Sequence, residues 1–105
     1  MAVPAARALV TITGRLVADP DLRYTESGLP WSRMCVALRG TDGVILQDIL
    51  AAGEVAEAAM RGARVGVRVR ASGRLQGRRW VDGGVGCYDV AIIATAIEFL
   101  REVAA

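Results

Sequence analysis

The stretch "GEVAEAAMRG" (53–62) decides how this chain is read, because the spacing of apolar residues changes there. Val55, Ala58, Ala59 and Gly62 fall on one helical stripe, and the segment is rich in helix formers. At about 3.6 residues per turn it makes two to three turns. On either side of it the period is two, the mark of strands with one wet face. One short helix inside an otherwise β chain leaves few folds open.

Upstream, "ALVTITGRLV" (8–17) alternates, with Val10, Ile12 and Leu16 on one side and Thr11, Thr13 and Arg15 on the other. Gly14 inside this run predicts a bulge or a sharp bend. "ADPD" (18–21) breaks the strand, the short polar "LRYT" (22–25) follows, and "ESGLP" (26–30) makes the next turn. "WSRMCVAL" (31–38) puts Met34, Val36 and Leu38 on one side and Trp31, Arg33, Cys35 and Ala37 on the other. "TDG" (41–43) is a hairpin turn into the third strand, "VILQDIL" (44–50), where Asp48 could face either way.

Downstream, "ARVGVRVRASGRL" (63–75) reads as the longest alternating strand. Val65, Val67, Val69 and Ala71 are expected inward, and Arg64, Arg68 and Arg70 outward. "VDGGVG" (81–86) is the tip of a ribbon, and "CYDVAIIATAIEFL" (87–100) is the last strand. The sum is an all-β chain of five strands, with one helix between the third and fourth and a protruding ribbon between the fourth and fifth. That is the arrangement of the five-stranded oligonucleotide-binding (OB) barrel. Closure removes sheet edges and suits a small, apolar chain.

At 105 residues and 11.1 kDa the expectation is one OB-fold domain spanning 1–105. Hydrophobic residues make up 53%, above the ordinary soluble range, which predicts self-association. No apolar run reaches the roughly 18 residues of a membrane span. "MAVPAARALVTITGRL" (1–16) carries no cleavage signature, so a cytoplasmic location without a membrane partner is expected. Cys35 and Cys87 lie outside any C-x-x-C arrangement and read as thiols, not as a bridge.

The chain has no histidine, and its 11 acidic residues are scattered without metal-ligand spacing. Ser27 and Ser32 have no base partner in sequence, and no glycine-rich stretch has phosphate-loop spacing. Enzyme activity is therefore not expected, nor a metal or cofactor. What remains is arginine. All 13 basic residues are arginine, and Arg64, Arg68, Arg70, Arg74, Arg78 and Arg79 crowd into one stretch, although the net charge is only +2. The guanidinium fork suits phosphate and also stacks on bases. A GC-rich genome would produce the same usage, and both explanations stand.

A single nucleic-acid strand is held by a basic groove along its backbone and by rings on which bases stack. "GRLQGRRWVDGG" (73–84) sets Trp80 directly after Arg78 and Arg79, in what reads as a polar ribbon. Trp80 is the first candidate for stacking; the alternative is a core or subunit-interface ring. Trp31 divides evenly between stacking and plugging one end of the barrel. Tyr24, after Arg23, carries the same ambiguity, whereas Tyr88 and Phe99 read as structural. Arg33, Arg68, Arg70, Arg74, Arg78 and Arg79 are the candidates for phosphate contact. Alternation alone does not tell which of the strand arginines face a groove.

On these residues the chain resembles the bacterial-type single-stranded DNA-binding (SSB) family. "VTITGRLVADPDLRYTESG" (10–28), "RGARVGVRVRASGRLQGRRWVD" (61–82) and "YDVAIIATAIEFL" (88–100) carry the likeness across almost the whole chain. The first is the most specific, since a strand, G-R-L, D-P-x-L-R-Y-T and S-G follow in family order. The resemblance implies an OB fold that assembles as a homo-oligomer, a tetramer before a dimer. It implies binding of single-stranded DNA, without strong sequence preference, in DNA replication, recombination or repair. It makes Trp80 a base-stacking ring and places Arg7, Arg15 and Arg33 near the DNA path.

Three departures stand against the family pattern. "VILQDILAAGEVAEAA" (44–59) has Leu50 and Ala52 where a ring and a positive charge are expected. The loop between the second and third strands is cut to "RGTDG" (39–43). The chain reaches "FLREVAA" (99–105) straight after the last strand, where the family carries an acidic tail that recruits replication and repair enzymes. The expectation is either a truncated chain or a divergent or accessory member that lacks this tail. The competing reading is an OB-fold assembly module, a replisome or primosome accessory protein with weak nucleic-acid affinity. Nothing in the residues separates DNA from RNA.

Overall fold

The computed structural model describes residues 9–100. Six strands and one helix run in the order β1 (Leu9–Leu16), β2 (Asp21–Tyr24), β3 (Pro30–Gly40), β4 (Gly43–Ala52), α1 (Glu54–Met60), β5 (Arg68–Asp82) and β6 (Val85–Leu100). The sheet order is β1-β5-β6-β4-β3-β2, and β1 also pairs with β3, so five of the strands close into a ring. The five expected strands are β1, β3, β4, β5 and β6. The short "LRYT" segment contributes the sixth, β2, which pairs only with β3. All pairings are antiparallel except β4 with β6, where Ile49 and Leu50 lie parallel to Ile92 and Ile93.

The inward side of the ring follows the alternation of the sequence. Leu16, Met34, Val36, Ile49, Val69, Ala71 and Ile92 are buried together, one set from each closing strand. Beneath them α1 contributes Ala56 and Ala59, with Val55 packed against the cluster. Ala58, expected on the buried stripe, is exposed. The helix presents the neighbouring 55/56/59 face instead, and residue 58 lies outside that arc at helical spacing. Ser32 is the one buried polar side chain of the described residues, and its hydroxyl lies 3.9 Å from the Met60 sulfur as donor.

Gly14 carries no bulge, since the β1–β5 register runs unbroken through it. Just past it β1, still paired to β5 at Arg15, gains two pairs with β3, Arg15 with Ala37 and Leu16 with Val36. A Cβ at residue 14 would stand 2.5 Å from the Ala37 carbonyl oxygen, so only glycine lets the strand cross this closely. The bulge falls between Ser72 and Gly73, where Ser72 pairs with Ala96 and Gly73 with Ala94. Thr95, left over on β6, donates its hydroxyl to the Ser72 carbonyl at 3.2 Å.

A second expectation is corrected. Residues 63–67 are not strand, and Val65 is exposed, not inward. Two local bonds explain it. The Val65 amide donates to the Asp19 carboxylate at 2.7 Å, and Gly66, at φ 88°, turns the chain so that its amide reaches the Leu16 carbonyl at 2.8 Å. The ladder of β5 therefore starts at Arg68. Beyond the ring, β5 and β6 continue as a two-stranded ribbon, from Gln76 opposite Ala91 to Asp82 opposite Val85, with Gly83 and Gly84 at its tip.

Candidate nucleic-acid interface

The outer side of β3 carries Trp31, Arg33, Cys35, Ala37 and Arg39, since Ser32, Met34 and Val36 point inward and are buried. On one edge β2 sets Arg23 opposite Trp31 and Asp21 opposite Arg33. On the other, β4 sets Ala52 opposite Trp31, Leu50 opposite Arg33 and Asp48 opposite Cys35. An open concavity of about 310 Å³ lies over this patch, lined among others by Asp21, Arg23, Trp31, Arg33 and Cys35. Trp31 is half-buried, while Arg33 is exposed. Tyr24, at the end of β2 opposite Pro30, is exposed as well. Arg23 has a loose pair with Asp21 at 3.8 Å.

The ribbon meets this patch through Arg78. Its Nε and Nη2 donate to both oxygens of Asp89, at 2.7 and 2.6 Å, and Nη2 also donates to Asp48 at 2.8 Å. Bidentate charge-assisted pairs of this length are among the stronger polar contacts in proteins. Its hydrogen bonds to Asp89 and then to Asp48 raise the Arg78 pKa further above its already high ordinary value. A second stitch runs alongside, the Gln47 amide to the Val90 carbonyl at 2.8 Å. The base of the ribbon is thus tied to β4. Arg78 was expected to contact phosphate, but its fork is filled by two carboxylates of the protein itself.

Two residues beyond Arg78, on the same side of β5, stands Trp80, 46% exposed and opposite Cys87. The expected stacking ring is therefore open to solvent within this chain. Arg79 points to the other side of the ribbon, opposite Tyr88. Tyr88 was expected to be structural, yet it is 63% exposed, its hydroxyl end lying over Gly77. Phe99 is half-buried against the core, as expected.

The remaining arginines occupy another sector. Arg15 is opposite Arg68, Thr13 opposite Arg70 and Leu9 opposite Arg74 on the outer side of the β1–β5 ladder. Arg70 is paired with Glu98 at 3.2 Å, and both are largely exposed. Arg15 donates from Nη1 to the Gly66 carbonyl at 2.9 Å. The structure thus gathers Trp31, Arg33, Tyr24 and Trp80 on the β2–β3–β4 and ribbon side, and separates Arg15, Arg68, Arg70 and Arg74 from them along the chain of cross-strand neighbours. Arg7 lies outside the described residues. Cys35, beneath the patch, has its pKa raised by burial first and by the Asp48 charge second. Neither cysteine is in a disulfide. Among the described residues no group of three or more His, Cys, Asp or Glu could hold a metal ion, and no helix is long and apolar enough to cross a membrane.

Sequence reasoning missed three things: Arg39, the ring of Tyr88, and the pairing of Arg78. The first two had a signal. Arg39 continues the outer-side set 31/33/35/37 by one step, and Tyr88 keeps the alternation of the ribbon. The third had none, because Asp48 lies 30 residues from Arg78 in the chain.

A closed ring of five strands with a helix between β4 and β5 defines an OB-fold protein. The chain belongs to the Single-strand binding protein family, whose sequence pattern matches residues 8–100. It is 32% identical over 103 residues to "Single-stranded DNA-binding protein B" of Bacillus subtilis, covering 87% of this chain and 88% of that protein. It is 28% identical over 100 residues to the "Single-stranded DNA-binding protein" of Fusobacterium nucleatum subsp. nucleatum, covering 87% of this chain and 65% of that protein.

Proposed function

We propose that this protein binds single-stranded DNA without strong sequence preference and without turnover. The observation that carries the reading is the run of neighbours across the β3–β4 face: Trp31 and Arg33, then Leu50 and Asp48, then Arg78 and, two residues on, Trp80. Two rings and the exposed Arg33 lie along it, the combination that a strand of stacked bases and spaced phosphates needs. Trp80, Trp31 and Tyr24 stack bases, and Arg33 meets phosphate. Arg79 and Arg74 add charge from the flanks. The names of the two relatives and the family membership support the same substrate.

Around that activity we place a single OB domain over residues 1–105, a cytoplasmic setting, a role in replication, recombination or repair, and a homo-oligomer, with a tetramer favoured. Exposed Val44, Ile45 and Leu46 at the β3–β4 hairpin support self-association. The same three residues favour the second reading, an assembly module with weak nucleic-acid affinity, because they offer a protein partner an apolar edge. Anisotropy of a labelled single strand of about 35 thymidines, followed from roughly 50 to 200 mM salt, separates the two. Coating predicts tight binding that falls steeply over that range. An assembly module shows only weak binding even at the lowest salt and a concentration-dependent change in mass.

A further inference from the structure

The ribbon has two sides, and Trp80 occupies only one. Trp80, Arg78 and Asp89 share the side tied to β4. The unbroken register from Gly77 opposite Val90 to Val81 opposite Gly86 puts Arg79, Val81, Tyr88 and Val90 on the other. There Tyr88 is 63% exposed and Val81 73%, so neither contributes to the core.

Both glycines within the strands of the ribbon, Gly77 on β5 and Gly86 on β6, fall on this second side. Glycine inside a strand weakens it and often marks a place where a ligand or another backbone comes close. Their surroundings differ. A Cβ at Gly77 would stand 2.9 Å from the Tyr88 hydroxyl oxygen and 3.3 Å from Cε2, so the ring leans over residue 77, toward the base of the ribbon. A Cβ at Gly86 would meet nothing within 4 Å. Gly83 and Gly84 have the positive φ that the turn needs, but Gly86 does not, so the backbone gives no reason for glycine there.

Gly86 thus leaves an open slot on the tip side of the Tyr88 ring. Residues 86 and 88 are about 7 Å apart along the strand, at 3.2–3.4 Å per residue. That is room for one flat ring in van der Waals contact with Tyr88, at about 3.5–4.0 Å. Val81, directly opposite Gly86, adds an apolar wall. Of the ladder residues on this side, 77, 79, 81, 86, 88 and 90, only Arg79 is charged, and its sign suits a nucleic acid. We propose that the slot between Tyr88 and Gly86 is a second base-stacking site, taking one base of the same DNA strand on the side of the ribbon away from Trp80. The strand then crosses the ribbon and is held on both of its sides. This rests on the single-stranded DNA reading above and deepens it with a site outside the run from Trp31 to Trp80.

The test compares Gly86→Val, Tyr88→Leu and Tyr88→Phe in the full chain. Valine at 86 enters open space on a strand, so this variant should melt no lower than the wild type. It fills the slot, whereas leucine at 88 removes the ring. Each should weaken binding of a strand of about 35 thymidines by about 5- to 150-fold, the worth of one stacked base. Tyr88→Phe keeps the ring and should bind as the wild type does. None of the three removes a charge, so the slope of log K against log salt should not move. Tryptophan quenching at saturation should persist, because Trp80 lies on the opposite side. Should valine lower the melting temperature, leucine against phenylalanine at 88 decides alone. Wild-type affinity in both Gly86→Val and Tyr88→Leu overturns the slot and leaves the DNA reading standing. Equal losses in Tyr88→Leu and Tyr88→Phe assign the effect to the hydroxyl and overturn stacking. A changed mass with unchanged DNA affinity gives the slot to a protein neighbour and overturns it too. If the wild type binds no strand at low salt, the DNA reading falls and the slot falls with it.

Discussion

Arg78→Ala is the most informative single change, because it separates an arginine that positions the ribbon from one that grips phosphate. The side chain makes three hydrogen bonds to two carboxylates, at 2.6, 2.7 and 2.8 Å. Hydrogen bonds to charged groups contribute about 1.5–3 kcal/mol each when sheltered. Here the side chains of Arg78, Asp48 and Asp89 are 27%, 23% and 39% exposed, so water replaces part of what is lost. A net cost of about 2–3 kcal/mol follows, with Asp48 and Asp89 left facing each other uncompensated. For a chain of this size that lowers the melting temperature by roughly 10–20 °C. Arg78→Lys, which keeps the charge but not the fork, should fall between. DNA affinity should drop because the ribbon that carries Trp80 is no longer tied to β4, while the salt slope stays at the wild-type value. The assays are thermal melting and titration of a thymidine strand at several salts. A melting temperature within about 2 °C of wild type, together with a slope shallower by about 0.7, would refute this and make Arg78 a phosphate contact.

Two further predictions rest on separate contacts. Burial and the Asp48 charge raise the Cys35 pKa, so its reaction with iodoacetamide should have a midpoint above the ordinary value of 9.0, and Asp48→Asn should lower that midpoint. A thiol whose pKa is raised on folding stabilises the protein fully below its unfolded value and loses that contribution as pH rises through the folded one; stability should therefore decline above about pH 9. Gly14→Ala drives a Cβ against the Ala37 carbonyl, and should cost about 1–3 kcal/mol in urea unfolding by loosening the β1–β3 closure. An unchanged midpoint would show that the seam yields freely.

Most of the barrel was legible because its strands alternate strictly: the set 34/36/38 faces in and 31/33/35/37 faces out along β3, as the pattern requires. The helix was placed correctly between the third and fourth closing strands, and its buried face was misjudged by one arc. Residues 63–67 misled because valine alternation continued into a segment where an Asp19 side chain and a left-handed Gly66 had already taken over the backbone. Of the rings, the exposure of the two tryptophans was legible and that of Tyr88 was not. Trp80 is as exposed as its polar surroundings suggested, and Trp31 is half-buried, between its two expected roles. Arginine roles were not legible, because they depend on partners distant in sequence. Arg70 and Arg78 have carboxylates, and Arg68 has none among the described residues.

The central claim is that Trp80 stacks on a DNA base. Intrinsic tryptophan fluorescence is the direct test, measured as the wild type and Trp80→Ala are titrated with a strand of about 35 thymidines at low and moderate salt. Strong, salt-sensitive quenching in the wild type is predicted, with most of it absent in the variant and an affinity loss of about 1–3 kcal/mol. Unaltered fluorescence in the wild type, with no binding by anisotropy at low salt, would contradict the account and leave the barrel as an assembly module.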